Sequence, residues 1–270
     1  METRNQSQMT PEDRAEWIEK KREQREALYK TAEKQTKAVF DHPDALNAHL
    51  KLQAQFGKMS VTNTLLVGAQ MPEATQLRSF DDWKQRGRSV NKGAKAIQLL
   101  QPQSEYTRED GTTAMGFEAK SVFDVSQTNG KQLRSKNYPP AKAVIKAMLT
   151  KPSIPMVWSD QVPDASYNAQ ANQIEARRNL DADKLVYAVS REYAIADGAD
   201  PFTAQCAATV ACYRYSLMPE PIEYDPAAMQ NKDTRELKEI LTDARDQACS
   251  FCEPIDLNLQ KQRERKQEAR

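Results

Sequence analysis

Four cations surround two glycines in the segment 86–95, which reads RGRSVNKGAK. The cations are Arg86, Arg88, Lys92 and Lys95. Glycine lets the backbone approach a ligand closely, and free backbone N–H groups beside fixed cations form an anion-binding concavity. The segment is therefore either an anion-binding turn or a solvated loop whose charges keep the protein soluble.

The residues around this turn predict two short helices before it and a strand after it. Ser60 is the expected N-cap of an amphipathic helix that Pro72 ends. A second short helix is expected to carry Phe80 and Trp83, and the run 96–100 is strand-like. Trp83 is therefore either a stacking surface for unpaired bases or a core residue.

The stretch 60–101 resembles the N-terminal domain of ArdC-type antirestriction proteins, a single-stranded-DNA-binding domain found on plasmids and conjugative elements. The order and spacing hold over about forty residues, which is more specific than a short motif. The resemblance covers roughly residues 10–130 and continues more faintly to about 220. The matching residues are Ser60, Asn63, Leu65, Leu66, Gln70, Pro72, Ala74, Thr75, Phe80, Trp83, Gly87, Arg88, Val90, Lys92, Gly93, Lys95 and Ile97.

The resemblance and the chemistry of the turn together predict a DNA-binding site. Its residues are Asn63, Gln70, Trp83, Arg86, Arg88, Lys92 and Lys95. The cations are expected to bind phosphates, while Asn63 and Gln70 either contact DNA or hold the loop by hydrogen bonds. Aromatic residues are more often core than stacking surfaces, and the further stacking candidates are Tyr106, Phe117 and Phe123.

The second domain of the family resembles a zinc metallopeptidase with an HExxH helix. The aligned pentad here is Arg191-Glu192-Tyr193-Ala194-Ile195, and the region of the third ligand, 202–211, contains no carboxylate. A guanidinium cannot be deprotonated to bind zinc, and isoleucine offers no donor atom. We therefore expect a degenerate metallopeptidase-like domain without metal, other cofactor or enzymatic activity.

The remaining residues with chemical potential favour structural roles. Arg191 is expected to pair with a carboxylate other than Glu192, because adjacent helical residues do not face each other. The two histidines, His42 and His49, exclude a multi-histidine metal site; they are predicted in a turn and half-buried, respectively. Cys249-x-x-Cys252 has metal or redox spacing but lacks the second pair or βαβ context that such sites need.

Composition limits the kind of nucleic-acid site that the chain can carry. The 270 residues include 39 Lys and Arg and 38 Asp and Glu, for a net charge of +1. A DNA-binding face must then be a local patch offset by acids elsewhere. Neither a membrane-length apolar run nor a secretory leader is visible, so we expect a cytoplasmic protein with reduced thiols and no membrane partner.

The predicted fold class is α+β. N-terminal helices with a small antiparallel sheet are followed by a mostly helical metallopeptidase-like domain with a short sheet. The predicted divisions are a single-stranded-DNA-binding domain over 1–130, a degenerate metallopeptidase-like domain over 138–252 and a charged tail over 253–270. A polar linker over 126–140 separates the two domains.

These observations lead to a first hypothesis and two alternatives. The first is a single-stranded-DNA-binding protein of a mobile genetic element with a role in antirestriction or conjugation. The second is a non-enzymatic interaction module that binds a restriction or conjugation protein. The third, a zinc metallopeptidase, is disfavoured by the missing ligands.

Overall fold

The computed structural model describes residues 10–107, 111–133 and 137–268. The helices are α1 (Pro11–Val39), α2 (Pro43–Phe56), α3 (Val61–Gln70), α4 (Phe80–Gln85), α5 (Ala141–Met148), α6 (Ala182–Ala196), α7 (Pro201–Arg214), α8 (Pro226–Gln230) and α9 (Thr234–Glu268). The strands are β1 (Leu77–Arg78), β2 (Arg88–Val90), β3 (Ile97–Thr107), β4 (Thr113–Asp124), β5 (Thr128–Gly130), β6 (Met156–Trp158), β7 (Ala165–Asn168) and β8 (Gln173–Ala176).

Within the described ranges, the strands form three small sheets. Their orders are β1-β4-β3, β2-β5 and β6-β8-β7. Strands β6 and β8 pair in parallel, and the other pairs are antiparallel. The predicted α+β class with short sheets is confirmed. The Asp-Gly pair in residues 109–112 predicts a hairpin turn. Residues 108–110 lie outside the described residues, and β3 and β4 on either side pair antiparallel.

The chain divides into two compact units, and the division after Gln132 falls within the predicted linker over 126–140. The first contains the described residues up to Gln35 and Leu65–Gln132, and the second contains Thr36–Thr64 and the residues from Leu133 onward. Residues 36–64, assigned above to the DNA-binding domain, thus pack in the second unit. Helix α2 lies against α7, and the Tyr213 hydroxyl donates to Asn47 Oδ1 at 2.8 Å.

The first unit is centred on Trp83 of α4 and the apolar face of the β3–β4 hairpin. Asp124 is also buried there, at the end of β4. Its Oδ1 accepts from the backbone N–H groups of Thr75 and Gln76 at 2.6 and 2.8 Å, and its Oδ2 accepts from Ser126 N at 2.9 Å. Burial by itself would raise the pKa of Asp124, but these donors hold it below the usual value.

The core of the second unit is formed by α5, α6, α7, α9 and one face of the third sheet. Helix α9 begins at a capping box, with Asp233 N donating to Glu236 Oε2 and Glu236 N donating to Asp233 Oδ1, both at 2.8 Å. The helix continues through the predicted charged tail. Ile255 and Leu259 are buried because the apolar stripe of α9 extends past residue 252.

The segment predicted as a polar linker also contains regular structure. Residues 128–130 form β5, which pairs with β2 in the first unit. The sequence did not predict β5, because short strands of polar residues lack the apolar alternation that marks a strand in sequence.

No helix in the described part of the chain combines the length and the apolar character needed to cross a membrane.

The two histidines occupy different environments. His42 is the N-cap of α2, where its Nδ1 accepts from Ala45 N at 3.2 Å, in line with the turn position predicted for it. His49 is buried rather than half-buried, and burial lowers its pKa to about 4. The sequence underestimated this burial because α2 packs directly against α7.

The buried His49 should make stability depend on pH. Between pH 6.5 and 4 the unfolded chain binds a proton that the folded chain excludes, so stability falls as the pH drops through this window. The loss should reach about 3 kcal/mol near pH 4 and should disappear in His49→Leu, as measured by urea unfolding across this range.

His42→Asn is the matched control, because asparagine retains an acceptor at the N-cap. It should keep the pH slope of the wild type. An unchanged slope in His49→Leu would contradict the assignment.

Candidate nucleic-acid interface

The cationic turn is fixed by the two-stranded β2–β5 ribbon. Arg88 lies opposite Gly130 in this register. Gly130 has φ +133°, and a Cβ at this position would lie 2.4 Å from the carbonyl oxygen of Gly87. Lys131 N donates to that same oxygen at 3.1 Å. The ribbon therefore requires glycine at 130, where the two strands approach most closely.

The guanidinium of Arg88 binds the neighbouring strand. Its Nε donates to Thr128 Oγ1 at 2.8 Å, its Nη2 to Thr128 O at 2.7 Å and its Nη1 to Lys131 O at 2.6 Å. The guanidinium carbon also lies 6.0 Å from the centroid of the Trp83 ring. These bonds give Arg88 a role in holding the ribbon together, and a phosphate contact by Arg88 stays a prediction.

Trp83 is a core residue. Its exposed fraction is 0%, and its Nε1 donates to Phe123 O at 2.9 Å. A ring with no exposed surface cannot stack on a base in this fold. The structure therefore corrects the stacking role given to Trp83 and supports the other interpretation of this residue.

The two amide residues of the predicted site lie in different units. Gln70 Oε1 accepts from Gln98 N, and its Nε2 donates to Gln98 O, both at 2.9 Å. The side chain thus pairs with β3 as a strand would, which supports the loop-holding alternative for Gln70. Asn63 belongs to the second unit, where its N–H donates to Ser60 Oγ at 3.3 Å; a DNA contact by its side chain stays a prediction.

The other three cations are exposed on a fixed backbone. Arg86, Lys92 and Lys95 extend from the segment between α4 and β3. Gln127 fixes the far part of this loop: its O accepts from Asn91 N at 2.9 Å, and its Nε2 donates to Lys95 O at 2.7 Å. The side chains of Arg86, Lys92 and Lys95 are thus available to an anion while their Cα positions are restrained.

Phe80 is an exposed aromatic residue that the predicted site omitted. It is the first residue of α4 and is 54% exposed. Ser79 caps this helix, with Oγ accepting from Asp82 N at 3.1 Å. The Ser79-x-x-Asp82 pattern marks a helix start and could have placed Phe80 at an open end. Of the earlier candidates, Phe117 and Phe123 are half-buried, and the side chain of Tyr106 is outside the described residues.

In the second unit, Arg191 joins two carboxylates at the position of the aligned pentad. Its Nη1 and Nη2 donate to the two oxygens of Asp164 at 3.0 and 3.1 Å, and its Nε donates to Glu192 Oε1 at 2.9 Å. Glu192 is buried, and its Oε2 accepts from Tyr167 N at 2.8 Å. Burial by itself would raise the pKa of Asp164, but the bonds from Arg191 lower it.

This geometry corrects one prediction and confirms another. Arg191 does pair with a carboxylate distant in sequence, Asp164, as expected. It also pairs with Glu192, contrary to the expectation above, through its Nε and Nη2 groups at 2.9 Å. Among the described residues, no three His, Cys, Asp or Glu side chains form a group suited to a metal ion.

The four cysteines are free thiols. Cys206 and Cys212 are buried in α7, as predicted. Cys252 is buried and Cys249 is half-buried in α9. Burial raises the pKa of Cys252 to about 12 and also raises that of Cys249, so both are protonated near neutral pH.

Comparison with known proteins identifies a shared fold. No protein-family model matches the chain, and no curated protein matches its sequence. The Mn(II)-bound crystal structure of the antirestriction protein ArdC from plasmid R388 aligns with 79% of this chain and 98% of that chain, with a TM-score of 0.50 and 16% identity. The metal-free structure of ArdC aligns with 75% of this chain and 84% of that chain, with a TM-score of 0.49 and 18% identity.

The likeness to the Mn(II)-bound structure extends over most of both chains. It confirms, at the level of fold, the ArdC-type resemblance that residues 60–101 indicated. The function of the chain does not follow from this likeness, because a fold can carry different sites.

The two arginines of the turn should respond differently to truncation. Arg88→Ala removes the charged donors that hold β5, and we expect a loss of about 2 kcal/mol in unfolding free energy. Arg86→Ala, the matched control, should change it by less than about 0.5 kcal/mol because Arg86 is exposed. Equal effects in denaturant unfolding would contradict the structural role of Arg88.

Proposed function

We propose that the protein is an antirestriction protein that binds single-stranded DNA through the first unit. The observation that carries this proposal is the exposure of Arg86, Lys92 and Lys95 on a backbone that Gln127 and the β2–β5 ribbon hold fixed. The ArdC fold supports the antirestriction part, since the structural relative is an antirestriction protein of a plasmid.

The proposed site binds the phosphate backbone first. Fixed cations form favourable contacts with phosphates of any sequence, and they release counterions when they do so. Because the whole chain is nearly neutral, the attraction is local and directs the strand to this loop. Arg88 contributes to binding indirectly, because its hydrogen bonds hold together the β2–β5 ribbon beside the cationic loop.

Phe80 supplies the stacking surface in place of Trp83. It begins the helix that leads into Arg86, and half of its surface is open. The six residues of α4 span about 9 Å, a distance comparable to the reach of one or two nucleotides of an extended strand. An exposed aromatic ring near fixed cations is the arrangement used by proteins that bind single strands without sequence preference.

The DNA-binding proposal makes separate predictions for charge and stacking. Arg86→Ala/Lys92→Ala/Lys95→Ala should reduce the slope of log K against log salt concentration by about 2, because three phosphate contacts are lost. Phe80→Ala should weaken binding by about tenfold with little change in slope. Both are measured by anisotropy titration of a labelled single-stranded oligonucleotide at several salt concentrations.

Lys142→Ala/Arg177→Ala/Arg178→Ala is the matched control, because it removes three exposed cations from the second unit. This control variant should bind the single-stranded oligonucleotide with the affinity of the wild type and with the same slope of log K against log salt concentration. If both triple variants lose the same affinity, binding is non-specific attraction to the whole protein. If the wild type binds no single strand at low salt, the interaction-module hypothesis replaces this one.

We also propose that the second unit is not a metal-dependent peptidase. The support is the chemistry at the pentad: Arg191 cannot ligate a metal, and its guanidinium occupies both Asp164 and Glu192. The second unit would then keep a metallopeptidase-like fold without a metal site. In place of that site, an ion cluster joins α6 to the start of β7.

The absence of peptidase activity is tested by metal content and hydrolysis. Purified wild type should contain well below one metal ion per chain by plasma mass spectrometry, and Glu192→Gln should leave any residual hydrolysis of casein unchanged. Glu175→Gln is the control for a half-buried carboxylate in the same unit. Stoichiometric metal in the wild type, or hydrolysis lost only in Glu192→Gln, would show a peptidase.

A further inference from the structure

A cavity of about 680 Å³ lies within the second unit. It is bounded by the C-terminal ends of α2 and α7, by one face of α9 and by residues preceding α5. The volume lies in the range of small-molecule sites, which are about 300–1,000 Å³. None of the residues discussed above for DNA binding or for the pentad lines it.

One wall of the cavity is built around Arg214, which is held in a single orientation. Its Nε and Nη2 donate to Asp256 Oδ2 at 3.1 and 2.5 Å. Its Nη1 lies against Gly57, where a Cβ would be only 2.9 Å away, and Gly57 has φ +54°. Gln53 Nε2 donates to the carbonyl oxygens of Gly57 and Met59 at 2.9 and 3.1 Å, so the adjoining turn is also fixed.

The charges that line the cavity are mainly positive. Lys58, Arg214 and Arg263 contribute three cations, and Asp256 contributes one carboxylate. Asp256 is balanced by Arg214, and Lys58 pairs with Glu253. Arg263 is exposed and takes part in no ion pair within the described ranges. An anion entering the cavity would therefore meet a cation that no carboxylate of the described residues pairs with.

The rest of the lining combines apolar and amide groups. Phe56 and Leu259 give apolar surface, and the side chains of Asn137 and Gln260 carry hydrogen-bond donors and acceptors. A phosphate fits the cationic side, a planar heterocycle fits the aromatic and apolar side, and the amides suit the edge of that heterocycle.

We infer that this cavity binds a nucleoside monophosphate, with its phosphate at Arg263 and its base against Phe56 and Leu259. The nucleotide is either free in solution or the phosphorylated end of a DNA strand. The inference does not depend on the DNA-binding role of the first unit, because its lining belongs to the second unit alone.

Calorimetric titration of the full chain with dAMP, inorganic phosphate and a 5′-phosphorylated trinucleotide tests the inference. The wild type should bind dAMP with a Kd below about 1 mM and more tightly than phosphate. Arg263→Glu should weaken this binding by about tenfold or more, because it reverses the charge that meets the phosphate. If the trinucleotide binds and Arg263→Glu removes this binding, the ligand is the phosphorylated end of a strand. If only dAMP binds, the ligand is a free nucleotide.

Arg265→Glu is the matched control. Residues 263 and 265 lie about 200° apart around the axis of α9, and residue 265 does not line the cavity. It should change the Kd by less than about twofold. Gln260→Trp keeps the charge but places an indole in part of the cavity, and it should weaken binding by about tenfold or more. Absence of saturable binding to either nucleotide, or equal losses in Arg263→Glu and Arg265→Glu, would overturn the inference.

The two proposals fail separately. Arg86→Ala/Lys92→Ala/Lys95→Ala should lose affinity for the long single strand and keep that for dAMP. Arg263→Glu should show the reverse. Loss of dAMP binding in the first of these variants would place the nucleotide on the cationic turn and contradict the assignment to the cavity.

Discussion

The first unit depends on the hydrogen bonds that the guanidinium of Arg88 donates across the β2–β5 ribbon. This ribbon has three residues in each strand, too few for its backbone pairing alone to keep it in place. Arg88 adds donors to Thr128 and Lys131 and covers one side of the Trp83 ring. A half-buried cation that binds several acceptors of the neighbouring strand stabilises the turn, while the neighbouring cations stay exposed.

The same use of arginine recurs in the second unit. Arg191 binds Asp164 and Glu192, and Arg214 binds Asp256. In each case a half-buried guanidinium is paired with at least one carboxylate, as burial of a charge requires. Arg88, Arg191 and Arg214 are therefore structural arginines, whereas Arg86, Lys92, Lys95 and Arg263 are exposed cations for which we propose ligand contacts.

The arginines described above lie in a fold that this chain shares with ArdC. The fold is shared over most of both chains, while identity is only 16%. At the pentad, the two positions where the peptidase motif needs imidazoles hold Arg191 and Ile195. Arg191 pairs there with Asp164 and with the buried Glu192. A domain can keep its packing in this way while the chemistry at its centre changes.

Local patterns in the sequence were enough to determine the α+β class, most helices and the cationic turn. Capping boxes and prolines mark where helices begin and end, because these signals act over three or four residues. The same local reasoning showed that Arg191 and Ile195 cannot ligate metal, since that depends on side-chain chemistry alone.

Only the tertiary structure decided which cations are available and which unit each segment joins. Arg86 and Arg88 are two residues apart and chemically identical, yet Arg88 meets the carbonyl oxygens of β5, forty residues further along the chain. Trp83 is buried for the same reason, because β4 returns to cover it. Burial and hydrogen bonding between distant segments depend on the path of the whole chain, and a short window of sequence does not contain that path.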